Sequence, residues 1–179
     1  IRSSAALAKA GSARQAAELA ILITERGLGG NDADLDVRLA NFRRDRSDRA
    51  QAAKGLAHRL ATDAGQKGAD TGPASSGALL IHAYPDRIAK SRGRDGRFVL
   101  ANGRGAEIDV SHGLAGQDWL VVADMQGAAQ KARILSATSV SLADIEAACP
   151  QEFVLEDEVS FDPARKSLKR RRKRRFGAI

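Results

Sequence analysis

Apolar residues recur at helical spacing along residues 13–26, ARQAAELAILITER, where Ala16, Leu19, Ala20 and Ile23 fall on one stripe. Ser12 stands at the N-cap position, and Gly27, Gly29 and Gly30 end the predicted helix. A second helix is predicted from near Asp32 or Asp34, whose acids suit the positive end of the helix dipole. It carries Leu35, Leu39 and Phe42 on one face. A third, Ala50–Ala61, repeats the pattern with Ala53, Leu56, Ala57 and Leu60. Residues 62–77, TDAGQKGADTGPASSG, hold four glycines, a proline and no large apolar residue, which is linker composition. A short helix over Ala78–Tyr84 is predicted to stop at Pro85.

From Arg97 the period changes to two. FVLA (98–101) is followed by Asn102-Gly103, a hairpin signal, and by AEIDV (106–110). WLVVADM (119–125) and ARILSATSV (132–140) read as strands, and LADIEAAC (142–149) as a helix capped by Ser141 with Asp144 in the capping-box position. FVLEDEVSF (153–161) and a strand after the Asp162-Pro163 turn complete the set. Helices followed by five or six short antiparallel strands make the chain α+β, with a small barrel or curled sheet in its second part.

Composition narrows this reading. Apolar residues are 43% of 179, enough for a packed core, but aromatics are 4%, so that core is mostly Ala, Leu, Val and Ile. The one cysteine, Cys149, excludes an internal disulfide framework and suits a reducing compartment. No uncharged apolar run approaches the roughly 18 residues of a membrane span, and no secretory leader is expected. The first residue is Ile1 rather than Met, so the chain is expected to be a piece of something longer. The net charge of +7 is unevenly distributed: +3 over residues 1–77, −4 over 78–160 and +8 over 161–179. An electrostatic argument for a polyanionic partner therefore rests on particular stretches, above all the tail.

Catalytic chemistry finds no support. A nucleotide-binding loop needs glycines closing on Lys and Ser/Thr, and the chain has no Gly-Lys dipeptide. Val121-Val122-Ala123-Asp124 reads as a buried strand with a polar end. His58, His82, His112 and Cys149 show no metal-ligand spacing, and there is no nucleophile elbow. Neither a catalytic residue nor a metal site is expected. Basic residues remain. Arg87, Lys90, Arg92, Arg94, Arg97 and Arg104 fall within 18 residues, against Asp86 and Asp95, a density that suits phosphate. Phe98 is either a base-stacking residue or core. Asn102-Gly103-Arg104-Gly105 either presents Arg104 from a tight turn or leaves it solvated. Seven consecutive basic residues, Lys169, Arg170, Arg171, Arg172, Lys173, Arg174 and Arg175, lie between Leu168 and Phe176. They must face water or phosphate, since guanidiniums cannot be buried without partners. They are expected to act as a phosphate clamp rather than a folding element. The competing view makes them a barrel strand pinned by Leu168 and Phe176 and ion-paired to Glu156, Asp157 or Glu158. The candidate nucleic-acid-binding residues are Arg87, Lys90, Arg97, Asn102, Arg104 and Lys169–Arg175.

One further pattern is the motif order. Ala78-Leu79-Leu80 through Tyr84-Pro85-Asp86-Arg87-Ile88-Ala89, then Leu100-Ala101-Asn102-Gly103-Arg104-Gly105-Ala106, then Trp119-Leu120-Val121-Val122-Ala123-Asp124, resembles the region after the motor in HrpB-type bacterial DEAH-box ATP-dependent helicases. Ala17–Ala20, Thr24–Arg26 and Asp34–Leu39 resemble that family's helical helicase-associated segment, and Phe176-Gly177-Ala178-Ile179 is similar to its Arg-x-Gly-Ala-Leu stretch. The resemblance covers nearly the whole chain. It implies a helical, ratchet-like module at 1–61, a linker at 62–77 and an OB-like barrel domain at 78–179 that ends in the basic segment. Both parts would be accessory to two RecA-like motor domains, which would hold ATP and Mg, whereas this chain would bind neither. Expected partners are single-stranded RNA or DNA and the motor domains of the same polypeptide, in the bacterial cytoplasm and away from membranes. The basic density of Lys169–Arg175 exceeds the family pattern. Two other classes stay open: a freestanding OB-type nucleic-acid-binding module, and an adaptor whose tail docks an acidic protein.

Overall fold

The computed structural model describes residues 13–63, 75–93, 95–162 and 167–179. Three helices come first: α1 (Ala13–Thr24), α2 (Leu35–Arg44) and α3 (Asp48–Asp63). Ala16 and Leu19 of α1 and Leu35, Leu39 and Phe42 of α2 are buried, as their spacing predicts. Ala20 and Ile23 of the expected α1 stripe are only partly buried, and Ile21 and Leu22 are buried instead. Asp34 caps α2 by accepting from the Asp36 N–H at 2.8 Å. Ser12 and residues 64–74, the greater part of the expected linker, lie outside the described residues. The next helix, α4 (Ser76–Ile81), begins earlier than its apolar run because the Ser75 hydroxyl caps it, accepting from the Ala78 N–H at 3.1 Å. Gly77 belongs to this helix and serves packing: a Cβ there would lie 2.4 Å from the Ser139 carbonyl oxygen.

Five strands close a barrel: β1 (Ile88–Ser91), β2 (Arg97–Leu100), β3 (Gly105–Glu107), β4 (Trp119–Ala128) and β5 (Lys131–Ser139), in the order β1-β2-β3-β5-β4. All neighbours are antiparallel except β3 and β5, which run parallel with Ala106 opposite Ala132, so the barrel is mixed. Its interior is filled by Ala89, Phe98, Leu100, Ala106, Leu120, Val122, Ile134 and Ala137. The alanines let a five-stranded ring close tightly around Phe98, Leu100, Leu120, Val122 and Ile134. Phe98 is 1% exposed and belongs to this core. After β5, α5 (Leu142–Ala148) starts at Ser141, whose hydroxyl accepts from the Asp144 N–H at 3.0 Å.

The last two strands, β6 (Phe153–Asp162) and β7 (Ser167–Phe176), were expected in the barrel but form a separate two-stranded sheet. The ring already closes between β1 and β4, leaving no free edge for them. The fold is thus a helical module followed by an OB-like barrel, with a hairpin appended.

A second, larger core lies outside the barrel. Leu19, Leu35 and Phe42 share it with Leu79, Leu80 and Ile81 of α4, Ile88 of β1, Val121 of β4, Ile145 of α5 and Phe176 of β7. Polar contacts align the same interface. The Ala137 N–H of β5 donates to the Ala33 carbonyl at 2.8 Å, and the Thr138 hydroxyl to the Asp36 carboxylate at 2.6 Å. Arg38, 6% exposed, donates to the carbonyls of Leu22 (2.5 Å) and Leu28 (3.3 Å) and to the Ser136 hydroxyl (3.1 Å). Beside it Asp32 meets the His112 ring at 2.9 Å.

Arg38→Met is expected to destabilise the chain by about 2–4 kcal/mol, because buried carbonyls lose their donors. Urea unfolding measures the loss, and a change below about 0.5 kcal/mol would show that the guanidinium is dispensable. The Asp32 carboxyl is held below the usual carboxylate range, first by the Asp34 N–H and then by His112, against a partial burial that pushes it up. Its contribution is therefore complete at neutral pH and is lost as the pH falls through that lowered value. Wild type and Asp32→Asn should differ in stability near neutrality and converge in strong acid.

Candidate nucleic-acid interface

In β2 the side chains alternate, with Phe98 and Leu100 inward and Arg97 and Val99 outward. Cross-strand register continues this outer surface: Arg97 lies opposite Glu107, Val99 opposite Gly105, and Glu107 beside Arg133 of β5. Two turns flank it. The β1–β2 connection brings Arg92 back onto the strand, its N–H donating to the Arg97 carbonyl at 2.9 Å. The β4–β5 turn lies directly on the start of β3, where a Cβ on Gly105 would meet the Gln130 carbonyl oxygen at 2.1 Å. Only glycine permits that approach, and it places Gln130 and Lys131 beside Glu107.

The result is a cleft of about 320 Å³ lined by Arg92, Arg97, Phe98, Gly105, Ala106, Glu107, Gln130 and Lys131. Lys131 and Glu107 are 3.5 Å apart. Arg97 pairs with Asp95, and this contact raises the guanidinium's affinity for its proton and lowers the Asp95 carboxyl below the usual range. Arg92, Arg97, Lys131 and Arg133 are all exposed, so four cations face two carboxylates across the cleft and its margin. Exposed ion pairs of this kind contribute little to stability. Their donors are open to exchange partners with phosphate oxygens, which guanidinium forks match well.

The sequence-derived candidates separate. Arg97 lines the cleft, and Lys90 lies on the next strand, exposed, with its ammonium 5.3 Å from the Trp119 ring centroid. Arg87 is half-buried, donates to the Ala123 carbonyl at 2.8 Å and lies over Tyr84. Asn102 turns the β2–β3 connection by accepting from the Arg104 N–H at 3.1 Å. Arg104 is half-buried and reaches the Gly127 carbonyl at 3.5 Å, while its Nε is buried with no hydrogen-bond partner among the described residues. Lys131 and Arg133 were not among the candidates, although their alternation with Ala132 and Ile134 marks them as outward-facing.

The basic run is half of a sheet, which corrects the expectation that it is not a folding element. β7 pairs with β6 from Phe176 opposite Phe153 to Ser167 opposite Asp162, setting Lys169 to Arg175 against Ser160 to Val154. Phe153 and Phe176 pack at 5.2 Å and anchor the hairpin's base, whereas Leu168 is 74% exposed and anchors nothing among the described residues. Arg172 pairs with Asp157 (3.1 Å), Arg175 with Glu156 (3.2 Å) and Arg174 with Glu146 of α5 (2.5 Å).

Among the described residues, no group of three or more His, Cys, Asp or Glu is placed to hold a metal. Cys149 is a free, buried thiol whose proton affinity is raised by burial, which makes it a poor nucleophile. No helix among the described residues is long and apolar enough to cross a membrane.

No protein-family model matches the chain. The ATP-dependent RNA helicase HrpB of Escherichia coli K12 is 35% identical to it over 169 residues, 93% of this chain and 20% of that protein. A crystal structure of the E. coli DExH-box NTPase HrpB superposes with a TM-score of 0.73 at 31% identity, covering 94% of this chain and 20% of the other. A crystal structure of the E. coli DEAH/RHA helicase HrpB gives 0.71 at 28% identity with the same coverage. The chain thus spans only 20% of the length of these relatives. The likeness takes in helices and barrel alike, at an identity beyond what a shared barrel topology accounts for. Over nearly its whole length the chain therefore corresponds to a C-terminal region of HrpB-type DEAH helicases.

Proposed function

We propose that this chain is an accessory nucleic-acid-binding part of an ATP-dependent helicase, guiding single-stranded RNA or DNA beside the RecA-like motor domains of the same polypeptide. One observation carries the reading. The β2–β3 surface and the two turns that flank it, where OB folds take oligonucleotides, here converge on one cleft with Arg92, Arg97 and Lys131 around it. Arg133 and Lys90 extend this cationic surface along β5 and β1. Arg87, Asn102 and Arg104 do not line the cleft and serve the barrel through their hold on neighbouring backbone. The hairpin adds long-range attraction, because its basic strand outnumbers the acids opposite it. Binding is mainly to phosphate and tolerant of sequence. ATP and Mg belong to the motor, since no glycine-rich loop closing on lysine is present here to hold a triphosphate. The setting is the bacterial cytoplasm.

Binding of a labelled single-stranded oligonucleotide to the 179-residue chain, measured by anisotropy across a salt series, tests the cleft. Replacing Arg92, Arg97 and Lys131 with Gln should weaken binding evenly across sequences. The slope of log affinity against log salt should fall by roughly 0.7 for each phosphate contact removed. Unchanged affinity and slope in a folded variant would place the site elsewhere. Replacing Lys169, Arg170 and Arg171 with Gln leaves the ion pairs of Arg172, Arg174 and Arg175 in place and should lower the slope by the same increment per contact. An unaltered slope would remove the hairpin from the binding track.

A further inference from the structure

Ile88 and Lys90 point to the same side of β1, yet Ile88 is fully buried in the core shared with the helices while Lys90 is exposed. The helical cover of the barrel ends between them. Trp119 stands at that boundary: it is the β4 partner of Lys90, while Val99, on the outer surface of β2, is the partner on the other side. Trp119 is partly buried against the shared core and lies beneath the Lys90 ammonium at 5.3 Å.

We infer that Trp119 is the base-stacking platform of the barrel, taking one unpaired nucleobase from the strand held at the cleft, with Lys90 passing from the indole to that nucleotide's phosphate. The inference rests on the proposed single-strand binding and adds the residue that meets a base. Five other aromatic side chains are unsuited. Phe42, Phe98 and Phe176 are buried. Tyr84 lies under Arg87, which the Ala123 carbonyl holds in place, and Phe153 lies under Arg174, which Glu146 holds. Lys90 differs from both arginines: among the described residues no carboxylate lies within ion-pair distance of it, and the indole is its partner. A cation resting on a ring face open to water is held more weakly than a stacked base. A base therefore displaces the ammonium, which remains one side chain away and is then free to meet phosphate. Because every base has a π-face, the contact discriminates bases from bare backbone rather than one base from another.

Trp119 is the sole tryptophan, so the chain's indole fluorescence reports this side chain alone. The test titrates the full chain with a single-stranded oligonucleotide and with an abasic oligomer of equal length and charge, following anisotropy of a label and indole emission together. Both oligomers should bind, and only the base-bearing one should quench the indole. Binding without quenching, or equal quenching by both, would overturn the stacking role and leave the cleft standing. Absence of binding by either would overturn both readings. Trp119→Leu should weaken binding of the base-bearing oligomer roughly fivefold or more while sparing the abasic one, and Trp119→Phe should restore most of the loss. The emission result on the unaltered chain stands even if a variant fails to fold.

Discussion

Arg38 connects the parts of this structure that the chain order keeps apart. Its guanidinium leaves water to bridge the end of α1, the turn at Leu28 and the β5 residue Ser136. Burial lowers its affinity for its proton, and the Asp32 carboxylate works in the opposite direction. Arginine suits the position because its rigid fork supplies several donors at once while its charge survives desolvation. β5 is therefore held twice. Near its start it pairs with β3 and closes the barrel, and near its end it is tied to the helical module through Ala137, Thr138 and Ser136. Lys131 and Arg133, on the half that faces the cleft, are thus positioned partly by helices on the far side of the barrel.

Elements with local signatures were legible in the sequence. The existence of α1, α2 and α3 follows from their recurring apolar residues, α5 from the Ser141 cap, and β4 and β5 from long runs of apolar and β-branched residues. In α3, however, the expected stripe is wrong: Leu56 and Leu60 are exposed, and the small residues Ala50, Ala57 and Ala61 are buried instead. β1 was not legible. It has four residues, and Ile88 and Ala89 are both buried because the helices cover one side and the barrel the other, so no alternation shows. The parallel pairing of β3 with β5 leaves no local trace, which is why Lys131 and Arg133 went unread as neighbours of Arg97. Arg87 and Arg104 misled in another way. Arginines in a basic-rich stretch look solvated, but these two spend donors on the carbonyls of Ala123 and Gly127.

The hairpin shows how a charge run can mislead when counted alone. Lys169–Arg175 dominates the chain's formal charge, yet its partner strand sets Glu156, Asp157 and Glu158 opposite Lys173, Arg172 and Arg171. Part of the apparent basicity is therefore spent within the sheet. The described residues Val154, Leu155 and Val159 remain exposed along β6. An isolated two-stranded ribbon has little stability of its own. Phe153, Phe176 and Arg174 anchor this one at its base.

Leu19, Leu35 and Phe42 share one core with Leu80, Ile88 and Val121, so the two halves of the chain are held together by side chains rather than by the peptide between Asp63 and Ser75. That connection contributes chiefly an effective concentration. A chain nicked there would persist as a noncovalent pair. The two fragments, made as separate polypeptides, would reassemble by complementation, with Arg38 on one and Ser136 on the other.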